Sequence, residues 1–468
     1  MLPVNCGSHA DYQNLVVENL RKYYPNPDLL ARSTWDIIER FWHLDLSDTD
    51  TLLTHKYSKF GPAPRTPSCM QRSYLLSIDF KVSSITEWAA QLKMNPLFAI
   101  LSGFQVGDTP GVGTFYDFMK RLWDSDDPHM TSHIHPLKAK VKKPDAKGEK
   151  AASVEKVTVA ELLPQLEKTA FPLNDQPYAS LFKIYQKEFL DVSVEKGLIH
   201  KDSLALAADG TPVVTSHRER KKRICKCKEN GINDCSCDRY FSQPDCDIGW
   251  DSSRDCFYHG YDLYMLVDSQ SDLPVFPHYS YASKHDSHGF LQAFFRMRAF
   301  LPDYKVSKVL LDSAHDAMPY YQYFKRQNIT PFIDLNGKGG RPLVYKNDFT
   351  IDKDGVPVCP SGHRMRRDGI EVAKGRMKFK CPKISHTGGC ISCTCDKPCS
   401  KAKYGRTVHL ILNDNPRLFN NPPRSSKEWK LEYNARTSAE RSNKREKLDF
   451  KLEDGRHRST KMWYCRLY

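Results

Sequence analysis

Apolar residues recur at spacings of three and four through "NLVVENLRKYYP", "TWDIIERFWHLD", "SITEWAAQLK" and "GVGTFYDFMKRLW". This is the period of amphipathic helices, and the turn-prone stretches "FGPAPRTPS" and "GDTPGVG" separate them. In "SSITEWAAQL", Ser84 stands three residues before Glu87, which predicts a capping box. From about residue 200 the pattern changes. "SLALAADGTPVV" reads as an apolar strand ending at Asp209 and Gly210, and "YHGYDLYMLVD" with "DLPVFPHYSYA" reads as a hairpin turned by "SQS". "SHGFLQAFFRMRAF" is an amphipathic helix, "KVSKVLLDSAHDA" a buried strand ending at Asp312, "MPYYQYFKRQ" a helix and "ITPFIDL" a strand. The order strand, hairpin, helix, strand, helix, strand predicts an α/β domain with a mixed sheet.

The expected organisation follows from these changes of pattern. Residues 1–136 form a helical N-terminal domain, suited to DNA contact or to scaffolding. Residues 137–157, rich in Lys and Ala, read as a linker or exposed arm. A helical connector over 158–200 leads to the first part of the α/β domain over 201–336. Residues 337–425, rich in Gly, Pro, Lys and Cys and without an obvious apolar core, read as an insertion. Residues 426–468 return to helix and complete the domain.

Charge narrows the partner. The 468-residue chain carries a formal net charge of +14 and an isoelectric point near 9.0. That favours a polyanion, most simply nucleic acid, over a merely basic enzyme. No run of about 18 apolar residues suggests a membrane span, and the N-terminus has no signal-peptide pattern. A protein that stays inside the cell is expected. Fifteen cysteines then argue for metal binding rather than disulfides. Cys225, Cys227, Cys235 and Cys237 form one C-x-C pair repeated, just after the basic run "SHRERKKR". Four thiolates in a short loop suit tetrahedral zinc, as an alternative to a reduced Cys-rich loop. Cys359, Cys381, Cys390 and Cys393, with His363 and the nearby Cys395 and Cys399, resemble the knuckles of a zinc ribbon, and a structural zinc would fold the insertion.

Two aspartates and one glutamate carry the candidate chemistry. Asp209 and Asp312 each follow an apolar strand, and functional groups in α/β sheets gather at carboxyl ends of strands. Near the C-terminus, "YNARTSAERSNKREK" places Tyr433, Arg436, Glu440 and Lys447 on one arc about 60° wide if the segment is a continuous helix. Leu431, Ala435 and Ala439 take the opposite side, an apolar face able to pack on a sheet. One acid among phosphate-binding groups is the functional reading of this helix, and a solvated helix with i,i+4 ion pairs is the structural one.

In order and spacing, Tyr433, Arg436, Glu440 and Lys447 resemble the Y-R-E-K signature of a large class of bacterial DDE transposases. "AADGTP" at Asp209 and "LDSAHDA" at Asp312 match the contexts of the two aspartates in that family. "FYDFMKRL" is similar to the helical N-terminal part of its members. The resemblance covers about residues 200 to 450. It implies a ribonuclease-H-like fold with the aspartates on the first and fourth strands, the glutamate on a late helix, and an insertion between Asp312 and Glu440, where 440 − 312 leaves 128 positions. It implies that Asp209, Asp312 and Glu440 bind two Mg²⁺ (or Mn²⁺) ions, and that Arg436, Lys447, Lys444 and Tyr433 hold DNA phosphates. Asp316 is expected to support the site, and His315 to have a surface or packing role. The implied partners are transposon-end and target double-stranded DNA, bound by at least a dimer in the cytoplasm at the nucleoid. A DNA-binding remnant or repressor without catalysis, and a metal-dependent nuclease without strand transfer, are the alternatives.

Overall fold

The computed structural model describes residues 7–58, 60–130, 157–215, 222–223, 226–236, 239–240, 243–336, 343–345, 349–387, 390–396, 398–402, 404–455 and 457–468. Seven helices come first: α1 (His9–Tyr23), α2 (Arg32–His43), α3 (Ser47–Leu53), α4 (Pro67–Asp79), α5 (Ile85–Met94), α6 (Pro96–Ser102) and α7 (Val112–Arg121). Local chemistry starts several of them. Ser8 and Asp11 close a reciprocal capping box on α1, and proline occupies the first turn of α4 and α6. The box expected at α5 forms only in half. Ser84 accepts from the Glu87 N–H at 3.3 Å, but the Glu87 carboxylate accepts from Gln91 one turn on, at 3.0 Å. The Lys/Ala-rich linker expected at 137–157 lies, apart from Val157, outside the described residues, as do the first six residues, 216–221, of the basic run at 216–223. Helices α8 (Val159–Lys168), α9 (Ala179–Tyr185) and α10 (Val192–Glu195) lead to the sheet.

The central sheet is mixed, as expected. It contains β1 (Leu204–Val214), β4 (Asp247–Asp251), β5 (Cys256–Asp268), β6 (Pro274–Tyr281), β7 (Val306–Leu311) and β8 (Thr330–Ile333). A separate short pair, β2 (Lys222–Arg223) and β3 (Arg239–Tyr240), precedes β4. The strand order is β4-β5-β1-β7-β8, with β6 also on the outer edge of β5. β5 runs antiparallel to β1, β4 and β6, whereas β7 is parallel to both β1 and β8. Helices α11 (Asp286–Phe300) and α12 (Met318–Arg326) fall where the apolar period placed them.

β1 does not end at Asp209, as the turn-prone Asp-Gly pair suggested. It runs on to Val214, because the long β5 strand offers ladder partners along its whole length, with Asp209 opposite Met265 and Val214 opposite Gly260. Tertiary pairing here overrides a local turn preference. The parallel neighbour does stop early: β7 pairs with β1 only through Ala207. Asp209 therefore stands just past the end of that pairing, although it lies in mid-strand.

One continuous core joins the N-terminal helices to the sheet. It runs from Val16, Trp88 and Phe115 through Phe182 to Leu206, Leu263 and Phe294, and on to Trp463 of α15 (Thr460–Leu467). A second core lies within 349–419. It is built by β10 (Phe349–Ile351), which pairs with β9 (Leu343–Tyr345) and β11 (Pro357–Val358), and by β13 (Arg376–Lys380) and β16 (Thr407–Ile411), which form a sheet with β12 (Arg366–Glu371); the hairpin β14 (Ile384–Thr387) and β15 (Cys390–Cys393) is a separate pair. Met377 and Phe379 alternate along β13, and Val408 and Leu410 along β16. Spread over short strands at every second position, these residues form a core that composition alone does not reveal.

The single helix expected from Tyr433 to Lys447 is broken. α13 (Lys427–Asn434) ends, a turn follows at Ala435 and Arg436, and α14 (Thr437–Lys444) begins. The Arg436 N–H bonds to the Tyr433 carbonyl at 2.9 Å, and the Thr437 hydroxyl donates to the Asn434 carbonyl at 3.0 Å. A short side chain competing for backbone carbonyls is a recognised helix interrupter. Ala439 is buried as the helical wheel required, but Leu431, on the earlier helix, is 72% exposed. Among the described residues no helix is long and apolar enough to cross a membrane.

Candidate functional site

Asp209, Asp312 and Glu440 come from three elements that the sheet draws together. Asp312 directly follows β7, and α14 packs on β1 and β5. Side chains alternate along β1. Asp209 turns toward α14, where Asn443 Nδ2 lies 3.5 Å from its Oδ2, and Gly210 turns toward α11. A Cβ at Gly210 would come within 3.2 Å of a carboxylate oxygen of both Asp262 and Asp286, so the glycine makes room for two further acids.

Electrostatics ties the group together. Burial pushes the Asp209 carboxyl up to about 7. The Arg436 guanidinium opposes this, and the charges of Asp312, Asp286 and Glu440 add to it. Asp312 is held below the ordinary range. Burial would raise it, but the hydrogen bond and charge of His315, the Ala314 N–H and the Arg436 charge together outweigh that. Burial pushes the Asp262 carboxyl well above its usual value, and Asp286 and Asp209 add to this. Asp262 Oδ2 is buried, and among the described residues it has no hydrogen-bond partner.

Arg436 is the shared counter-charge of this acidic group. It donates to Glu440 Oε1 within an i,i+4 pair and lowers both aspartates. Glu440 itself is half exposed. Tyr433 stacks on Trp429 at 4.8 Å, and its phenol is pushed up to about 12 by burial first and then by Asp334 and Asp312, so it keeps its proton to donate. Lys447 does not share an arc with these residues. It follows α14 in a wider turn, donates to the Pro212 carbonyl at 2.7 Å and lies 3.3 Å from Glu453. Lys444 is exposed on α14.

Among the described residues no three His, Cys, Asp or Glu side chains stand close enough together to enclose a metal ion as placed. The donor set nonetheless suits Mg²⁺ or Mn²⁺. Its hard carboxylate oxygens repel one another and so add to the effect of burial on Asp209, and a divalent cation would relieve that repulsion. Asp316 is not available as a ligand. Its side chain is fully buried and its carboxylate accepts from Arg417 Nε at 2.7 Å, Arg417 Nη2, the Tyr321 hydroxyl at 3.1 Å and the Asn336 N–H at 2.7 Å.

Of the two roles expected for His315, surface or packing, the second holds: it is buried among aromatic rings, and it also bonds Asp312. The sequence reading missed two acids next to this site. Asp262 had a signal, being a lone acid inside the apolar run of β5. Asp286 had none, since an acid in the first turn of a helix is ordinary. Of the candidate zinc ligands, Cys225 and Cys237 lie outside the described residues, and of Cys390 and Cys393 only the backbone is described, at the two ends of β15. Cys227 and Cys235 are half-buried, and Cys359 and Cys381 are buried, with Cys359 packed into the second core. Compared with family models, curated proteins and solved structures, the chain matches none.

Proposed function

We propose that this protein is the transposase of an insertion sequence, a DDE-type enzyme that cuts transposon-end DNA and joins it to target DNA. The observation that carries the reading is the field shared by Asp209, Asp312 and Glu440 around Arg436, at the place where β1 outruns β7. Strand order supports a ribonuclease-H-like fold. β5 runs antiparallel beside β1 with its hairpin partner β6 antiparallel on its outer edge, and β7 and β8 continue parallel on the other side of β1. On this reading 337–425 is an insertion between β8 and the last helices, with Cys359, Cys381, Cys390 and Cys393 the candidate ligands of a structural zinc.

Asp209, Asp312 and Glu440 would hold Mg²⁺ or Mn²⁺, which when bound activates the attacking oxygen and stabilises the leaving one. The remaining work falls to the chain. Tyr433 donates its phenolic proton to a phosphate oxygen, and the exposed Lys444 neutralises a neighbouring phosphate. Arg436, now paired with Glu440, exchanges that carboxylate for a phosphate of the scissile strand. Lys447 anchors the end of this segment to β1 through the Pro212 carbonyl. In the first reaction a water oxygen bonds to phosphorus as the 3′-oxygen leaves. In the second the freed 3′-hydroxyl oxygen bonds to a target phosphorus as the target strand's own 3′-oxygen leaves and takes up a proton. Two copies of the chain, each on one transposon end, act together at the nucleoid.

A second reading, a DNA-binding remnant or repressor, draws on the Arg436–Glu440 pair, which already engages the glutamate. Incubation with end DNA and Mg²⁺, beside Glu440→Gln, separates the two. Metal-dependent nicking that is lost in the variant supports the transposase. End binding without nicking by the wild type supports the remnant. Nicking without joining leaves a nuclease.

A further inference from the structure

His315 has no part in the proposed chemistry, yet it is only 1% exposed and both ring nitrogens are engaged. Nδ1 lies 2.6 Å from Asp312 Oδ1, and Nε2 lies 2.9 Å from the Tyr264 hydroxyl. Phe290, Tyr320 and Tyr264 meet the imidazole edge-on, with centroids 5.7, 5.9 and 6.0 Å away. These contacts leave the ring one orientation. Asp312 caps the short turn Ser313–His315, so the turn itself brings the imidazole back onto the carboxylate.

We infer that His315 is the positioning residue of Asp312, holding one carboxylate oxygen so that the other is presented to the cation. The inference rests on the reading of Asp312 as a cation ligand. Oδ1 accepts from both His315 Nδ1 and the Ala314 N–H, the latter at 3.1 Å. Among the described residues both of these bonds fall on that one oxygen, and Oδ2 is left to the acidic group. With Nδ1 on Asp312 and Nε2 on the Tyr264 hydroxyl, both ring nitrogens are held by fixed partners. The chain Tyr264–His315–Asp312 thus fixes ring and carboxylate in turn. Outer partners of this kind commonly change metal affinity by about 10- to 100-fold.

The test is Mn²⁺ binding to the full-length protein, read from the paramagnetic resonance of free Mn²⁺ with no DNA present. Four variants are compared with wild type: Asp312→Asn, His315→Asn, His315→Gln and Tyr264→Phe. Asparagine places an amide N–H where Nδ1 stands, and glutamine places its amide where Nε2 stands. His315→Asn is expected to bind within about threefold of wild type, and His315→Gln about tenfold or more weakly. A His315→Gln protein that folds and binds as wild type overturns the inference, as does equal loss in the Asn and Gln variants. If His315→Gln does not fold, Tyr264→Phe decides: weaker binding supports the inference and unchanged binding overturns it. Unchanged binding by Asp312→Asn would instead overturn the ligand reading itself.

Discussion

Replacing Glu188 by glutamine should turn a pH-dependent liability into a pH-independent contact. Glu188 lies in the turn Gln186–Asp191 between α9 and α10 and reaches the N-terminal helices. Its carboxylate accepts from the Thr49 N–H at 2.9 Å, the Thr49 hydroxyl at 2.6 Å and Gln71 Nε2 at 3.0 Å. Thr49 is in the first turn of α3, whose own cap residue, Leu46, has no acceptor side chain, so Glu188 caps that helix from outside. Burial outweighs these bonds and pushes the carboxyl from 4.5 up to about 7. A raised pKa means that the folded state holds the proton more tightly than the unfolded state. The stability due to this group is complete below pH 4.5 and is lost as pH rises through about 7. At about 1.4 kcal/mol per pH unit, that interval amounts to roughly 3 kcal/mol.

Urea unfolding followed by tryptophan fluorescence, on wild type and Glu188→Gln from pH 4.5 to pH 8, measures this. Near pH 4.5 the two proteins should agree within about 1 kcal/mol, because the amide replaces a neutral acid of the same shape. The variant should then gain on the wild type by about 3 kcal/mol as the pH reaches 8. A difference that stays flat with pH would refute the reasoning. One that falls with pH would mean that Glu188 is ionised and that its charge stabilises the amino end of α3.

Arg417→Met would strand the fully buried Asp316 carboxylate. It should cost about 3 kcal/mol in urea melts, at the low end for a broken buried pair because Arg417 is 32% exposed, and Asp316→Asn in the same chain should recover much of that. Ala439→Leu should destabilise by about 1–3 kcal/mol through overpacking on the sheet, whereas Leu431→Ala should stay within about 0.5 kcal/mol. The opposite ranking would restore the unbroken helix. Gly260→Ala would set a Cβ 1.9 Å from the Val213 carbonyl oxygen, and should cost about 3 kcal/mol or more or leave the protein insoluble on expression.

The sequence by itself determined the elements that local period specifies. The hairpin, the helices α11 and α12, and the strands before Asp312 and after α12 all appear where alternating or three-and-four spacing put them. It also marked Asp209, Asp312 and Glu440, because an acid after an apolar run or among basic residues stands out without any structure. Register and close approach are different in kind. Whether β1 stops at Asp209 depends on the length of β5, a strand more than forty residues away in the chain. Whether the last helix is continuous depends on which carbonyl the Thr437 hydroxyl takes. Only the packed molecule sets Arg436 among three carboxylates, opens space at Gly210 for Asp262 and Asp286, and buries His315 between Asp312 and Tyr264. Those arrangements arise from burial and charge shared between distant segments, and a pattern read along one segment at a time contains neither.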